Sequence, residues 1–153
     1  MKRQTGFTLI ELITVIVILG ILSAFALPRF AGLEAQARSA ALDGLAGSVR
    51  SGAALAHSLW LAAGNAPASV TMEGQAITMS TVTGYPTAAA AGIQQVINDL
   101  TGFTPAVVGT NFQFTVPGTT AANCNVLYTP GVGAGVPPTV AVTNNRNNAT
   151  GCQ

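Results

Sequence analysis

From Phe7 to Leu27 the chain is apolar except for Thr8, Glu11, Thr14 and Ser23, and Lys2 and Arg3 stand just before the run. About 21 helical residues rising 1.5 Å each cover roughly 31 Å, the thickness of one bilayer core. Basic flanks are retained on the cytoplasmic side, so the amino terminus is expected inside and everything after Leu27 outside. Only 7% of the chain is charged, yet no second stretch approaches the roughly 18 apolar residues a further span would need. One span is expected, followed by one small exported domain.

Two simpler readings of this run compete. Ser23-Ala24-Phe25-Ala26 contains an A-x-A pattern that can act as a secretory cleavage site and release residues 27–153. The apolar part of such a signal is about 7 to 15 residues, shorter than this one, and a carboxylate in its first two turns is foreign to it. A plain uncleaved anchor leaves Glu11 unexplained as well. A carboxylate near a helix end in lipid costs about 1 to 3 kcal/mol, so a partner is expected. A cut between Gly6 and Phe7 would place a new amino group one turn from Glu11, on its own chain or a neighbour. That pair would neutralise both groups in a low-dielectric setting.

Gly6-Phe7-Thr8-Leu9-Ile10-Glu11 resembles the processing site of type IV prepilins and of type II secretion pseudopilins. The resemblance implies a prepilin peptidase that cuts after Gly6 and methylates the new terminus at Phe7. It also implies that Glu11 guides subunit docking during filament assembly. Its further implications are a helical homopolymer of the chain with itself, an inner-membrane precursor, and delivery by an assembly platform, an ATPase and a secretin. No catalytic activity, cofactor or metal belongs to the chain in this reading.

The likeness continues to Pro28, where the local physics stands by itself. Proline lacks a donor and crowds the carbonyl four residues back, that of Ala24, and Gly20 lowers helix propensity two turns earlier. A helix break or weak stretch is expected between Gly20 and Pro28, and related filaments lose helical structure there. An ordinary kink at the membrane exit is the plainer alternative.

After Pro28 the apolar positions Phe30, Leu33, Ala37, Ala40, Ala41, Leu45, Val49, Leu55 and Leu59 recur mostly at three- and four-residue intervals, with Glu34 and Arg38 as an i, i+4 pair. The helix is expected to run on to about Ala63, roughly 54 to 57 residues and about 80 Å with the anchor. Gly44, Gly47 and Gly52 form a small-residue seam, facing either this domain's own sheet or another subunit. Gly64-Asn65-Ala66-Pro67 stops the helix.

Beyond it, 70–72 and 76–82 read as short strands around a Glu73-Gly74 turn, 87–100 as a second, shorter helix, and 111–116, 123–129 and 139–143 as alternating strands. The expected fold is α+β, a long amino-terminal helix covering one face of a small antiparallel sheet. The organisation follows as leader 1–6, filament-core helix 7–28, amphipathic helix 29–63 and globular head 64–153.

Cys124 and Cys152 are the only cysteines, and an exported location permits them to pair. Closing a loop of about 29 residues stabilises a fold by about 3 kcal/mol. Two cysteines with no nearby His make a poor zinc site. Gly84-Tyr85-Pro86-Thr87, Cys124-Asn125-Val126-Leu127-Tyr128 and the near-terminal Gly151-Cys152 further resemble the mannose-sensitive haemagglutinin pilins, a type IVa subgroup. That resemblance implies attachment to host or abiotic surfaces and biofilm formation.

Other functions find little support. Without Lys2 and Arg3 the chain keeps four arginines against five acids, which gives nucleic acid little to bind. His57 stands alone, three residues from Trp60, and reads as a packed or solvated helix residue. Asp43, Glu73 and Asp99 are scattered, without calcium-loop spacing, and neither a phosphate-cradling loop nor a nucleophile elbow occurs. Asn148-Ala149-Thr150 matches a glycosylation sequon, a triplet common by chance. Thr129–Pro138 is a Gly- and Pro-rich loop that either faces solvent and contacts a surface or only connects two strands. The alternatives kept beside a major adhesive pilin are a type II secretion pseudopilin and a minor or DNA-uptake pilin.

Overall fold

The computed structural model describes residues 6–119, 122–144 and 152. Lys2 and Arg3 of the leader, Arg146, the Asn148-Ala149-Thr150 triplet and Gly151 lie outside them. The chain divides into two units, one ending at Glu34 and one beginning at Ala35, and helix α1, Leu9–Ala63, contributes to both.

Among the described residues of the first unit α1 is the one element, and its large apolar side chains from Leu9 to Leu33 are exposed. It holds a window long and apolar enough to cross a membrane, with none of that window buried. The helix continues through Gly20 and Pro28. The expected break is therefore absent from the single chain. One proline forfeits one hydrogen bond, about 3 kcal/mol, and the Leu- and Ala-rich turns on either side absorb it.

The second unit carries an α+β architecture. β1 (Ser69–Met72) and β2 (Gln75–Thr78) form an antiparallel hairpin, and β3 (Thr104–Val108), β4 (Asn111–Thr115), β5 (Cys124–Thr129) and β6 (Thr139–Asn144) form a meander in that order. Met72 pairs with Gln75, leaving the two-residue turn Glu73-Gly74, and both its residues have positive φ, 51° and 81°. That is the turn whose twist matches a hairpin. Helix α1 ends where expected, with Gly64 at φ 65°.

The core lies between α1 and the meander. Leu42, Ala46, Val49, Ala53 and Ala56 present one buried stripe at three- and four-residue spacing, with Leu45 beside it. Phe112 and Phe114 from β4 and Val126 and Tyr128 from β5 face it, fully buried on alternate positions. Each such side chain removes apolar surface worth about 1.5 to 3 kcal/mol. The buried stripe corrects the sequence expectation: Leu45 and Val49 belong to it and Leu59 is partly buried, whereas Phe30, Leu33, Ala37, Ala40, Ala41 and Leu55 are exposed. Two apolar faces share this helix, and periodicity alone merges them.

The second helix expected over 87–100 is a correction too. Only a 3₁₀ turn, Ile93–Val96, forms there. The preceding residues continue the hairpin instead: Thr87 N–H donates to the Thr78 carbonyl at 3.0 Å, and Thr78 N–H donates to the Ala91 carbonyl at 2.7 Å. Gly92 packs so closely on Thr87 that a Cβ there would lie 2.2 Å from the Thr87 carbonyl oxygen. The strand expected to reach 82 stops at Thr78, because Ser80 to Tyr85 turn back on themselves.

Candidate functional site

Thr8 and Glu11 build the amino-terminal end of α1 between them. Thr8 N–H and its Oγ1 hydroxyl both donate to Glu11 Oε2 at 2.8 Å, and Glu11 N–H donates to Thr8 Oγ1 at 3.3 Å. With the helix starting at Leu9, Thr8 is the N-cap and Glu11 the third helical residue, a reciprocal capping box. The carboxylate is thereby directed back toward Gly6 and Phe7, and Phe7 is 91% exposed. The spacing T-x-x-E was available in the sequence as a cap signal, and it supplies Glu11 with a partner on its own chain. Thr14 is also satisfied internally, its hydroxyl donating to the Ile10 carbonyl at 2.7 Å.

Cys124 and Cys152 are joined, with Cα atoms 5.0 Å apart. Arg38 donates to the Cys152 carbonyl at 3.3 Å and Arg50 to the Val140 carbonyl at 2.8 Å, while Asn144 donates to Asp43 at 3.1 Å. Three charged side chains of α1 thus fasten β6 and the disulfide. Tyr128 donates its hydroxyl to the Pro86 carbonyl at 2.7 Å, and burial, with Tyr85 nearby, pushes its phenol above the ordinary range.

His57 is a packing residue. Its Nδ1 lies 2.7 Å from the Gly84 carbonyl, which requires the proton on that nitrogen, and its ring stacks on Tyr85 at 4.0 Å between centroids. Trp60 joins the same stack and donates to the Pro67 carbonyl at 2.9 Å. Among the described residues no group of three or more His, Cys, Asp or Glu side chains gathers in one place.

Glu73 and Asp99, far apart in sequence, line one groove of about 390 Å³. Helix α1 forms one wall with Ser48, Ser51, Gly52 and Leu55, and the turn after Val96 forms the other. Asn98 donates to Glu73, and hydrogen bonding from Thr101 holds the Asp99 carboxyl below its ordinary range. Gly52 packs against Val96 at 3.1 Å for an added Cβ, whereas Gly44 and Gly47 face open space. The seam of glycines therefore divides, Gly52 serving the chain's own fold and the other two lying bare.

Comparisons with known proteins find one family model and two relatives. Residues 1–27 match the family model described as the prokaryotic N-terminal methylation motif. Over 54 residues the chain is 57% identical to the type IV narrow pilus major component PilA5 of Thermus thermophilus, covering 35% of this chain and 47% of that protein. Over 37 residues it is 51% identical to the type II secretion system core protein G of Vibrio cholerae, covering 24% and 25%. The matched parts span less than half the length of either relative, and no solved structure matches.

Proposed function

We infer that this chain, which has the prepilin-type amino terminus and the α+β architecture of a type IV pilin, is the major structural subunit of an adhesive type IV pilus. The observation that carries the reading is one helix with two solvents. From Ser39 onward α1 buries one stripe against its own sheet, while its first part offers an apolar surface that none of the described residues covers. Lipid suits that surface before assembly and the same surface of other copies suits it afterwards.

The working sequence begins with an inner-membrane precursor, amino terminus inside and residues after Leu27 outside. A prepilin peptidase cuts between Gly6 and Phe7 and the Phe7 amino group is methylated. Glu11, already turned toward that end by Thr8, then meets a free amino group of its own or a neighbouring chain. The assembly platform, ATPase and secretin carry the subunit outward, with Gly20 to Pro28 as the stretch that gives way under extension. The chain's work is mechanical, and attachment and biofilm formation follow from what the exported domains present. The connector between β5 and β6 presents Val132, 90% exposed, and is the first candidate for surface contact.

A second reading, a type II secretion pseudopilin, is favoured by the likeness to the Vibrio cholerae protein. Deleting the gene separates the two. A pilus subunit leaves cells without surface filaments by electron microscopy and with secretion intact. Loss of secreted enzymes with filaments unchanged would reverse the assignment.

A further inference from the structure

The groove between α1 and the turn after Val96 carries two carboxylates that no cation among the described residues meets. Glu73 is engaged by the amide of Asn98 and Asp99 by Thr101, both neutral groups, so the groove keeps its two negative charges. Its α1 wall is small and bare at Ser48 and Ser51, which lets another backbone approach, and Leu55 and Ile97 give it an apolar lining. Among the described residues Arg38 and Arg50 are committed to carbonyls of Cys152 and Val140. Among the described arginines, Arg29 is the one with no such bond. It is the first charge past the apolar run, and Phe30, 65% exposed, follows it.

We propose that the groove lined by Glu73, Asp99 and Leu55 receives the Arg29-Phe30 segment of a second copy of this chain, the guanidinium between the carboxylates and the ring on the apolar wall. The pairing rests on the filament reading above and gives it a specific contact. Arg29 supplies forked donors suited to two carboxylates, and its charge matches the one the groove lacks. The two surfaces belong to different units of the chain, so the contact is heterologous. Contacts of that kind propagate into open helical arrays unless the rotation closes.

The test is charge reversal in the full chain, read as the yield of sheared filaments at equal levels of processed subunit. Glu73→Lys with Asp99→Lys, or Arg29→Glu, is expected to lower yield about fivefold or more, and the combined variant to recover most of it. Co-expressed Arg29→Cys and Asp99→Cys chains are expected to give disulfide-linked dimers in filaments and none in detergent-dispersed monomers. Wild-type yield from every reversal overturns the groove contact while leaving the filament reading in place. Filaments that form without the mixed cross-link between the Arg29→Cys and Asp99→Cys chains, or rescue of the groove variant by Arg146→Glu in place of Arg29→Glu, overturn it as well. A wild-type chain that forms no filaments removes both readings.

Discussion

At the scale of single residues, Glu11 and Tyr128 show how a polar group is kept in an apolar setting. Glu11 has a cap partner in Thr8, so insertion of the precursor costs less than a bare carboxylate would. Glu11→Val is expected to insert and be processed normally but to assemble poorly beside wild-type subunits. Filament yield in cells expressing both forms is the measurement, and normal yield would remove the assembly role. Tyr128 is held neutral by burial, so its folded pKa lies above the unfolded value of 10.0. The stabilisation is complete below pH 10.0 and is lost as pH rises from there through the folded pKa. Thermal unfolding of the chain between pH 8 and 12 is expected to show a steep alkaline loss that Tyr128→Phe flattens, at about 1 kcal/mol lower stability near neutrality. Glu11 was legible because a lone acid in an apolar run has few explanations. Thr8 is less legible, because the apolar run around it masks the T-x-x-E spacing as a cap signal.

At the scale of elements, α1 is legible as a helix and its faces are not. Its end at Ala63 follows from Gly64 and Pro67, and the Glu73-Gly74 turn from its residue types. The buried stripe was misread upstream of Leu45, because Phe30, Leu33, Ala37, Ala40 and Ala41 are apolar at the right spacing on a different side. Leu42→Ala is expected to cost about 2 to 5 kcal/mol, since Leu42 is fully buried, while Ala41→Ser is expected to change stability by less than about 0.5 kcal/mol. Chemical denaturation of the two variants checks the assignment of faces. Strand β3 was missed because Pro105 sits inside it. Val108 and Asn111 flank a two-residue turn as a hydrogen-bonded pair, so alternation leaves the Pro105 and Val107 backbone groups pointing away from β4. β3 is an outer strand of the sheet, and a proline at an outward position removes a donor that no ladder needed. The helix expected over 87–100 failed for a tertiary reason, since Thr78 captures the Thr87 and Ala91 backbone groups that would have turned it.

At the scale of the whole molecule, the chain is a small packed domain closed by a disulfide and an apolar helix that needs company. The disulfide was legible from count and compartment alone, and its anchoring by Arg38 was not, because Arg38 and Cys152 are 114 positions apart. Cys124→Ser is expected to lower stability by about 3 kcal/mol under oxidising conditions, measured by thermal unfolding. An unchanged unfolding temperature would contradict the stabilising role. The central claim is that Phe7 to Pro28 is an assembly element retained in the working protein. Intact mass of the subunit from sheared surface filaments tests it most directly: the predicted species begins at Phe7, carries one added methyl group and keeps the Cys124–Cys152 bond, whereas a chain beginning at Leu27 would contradict the account.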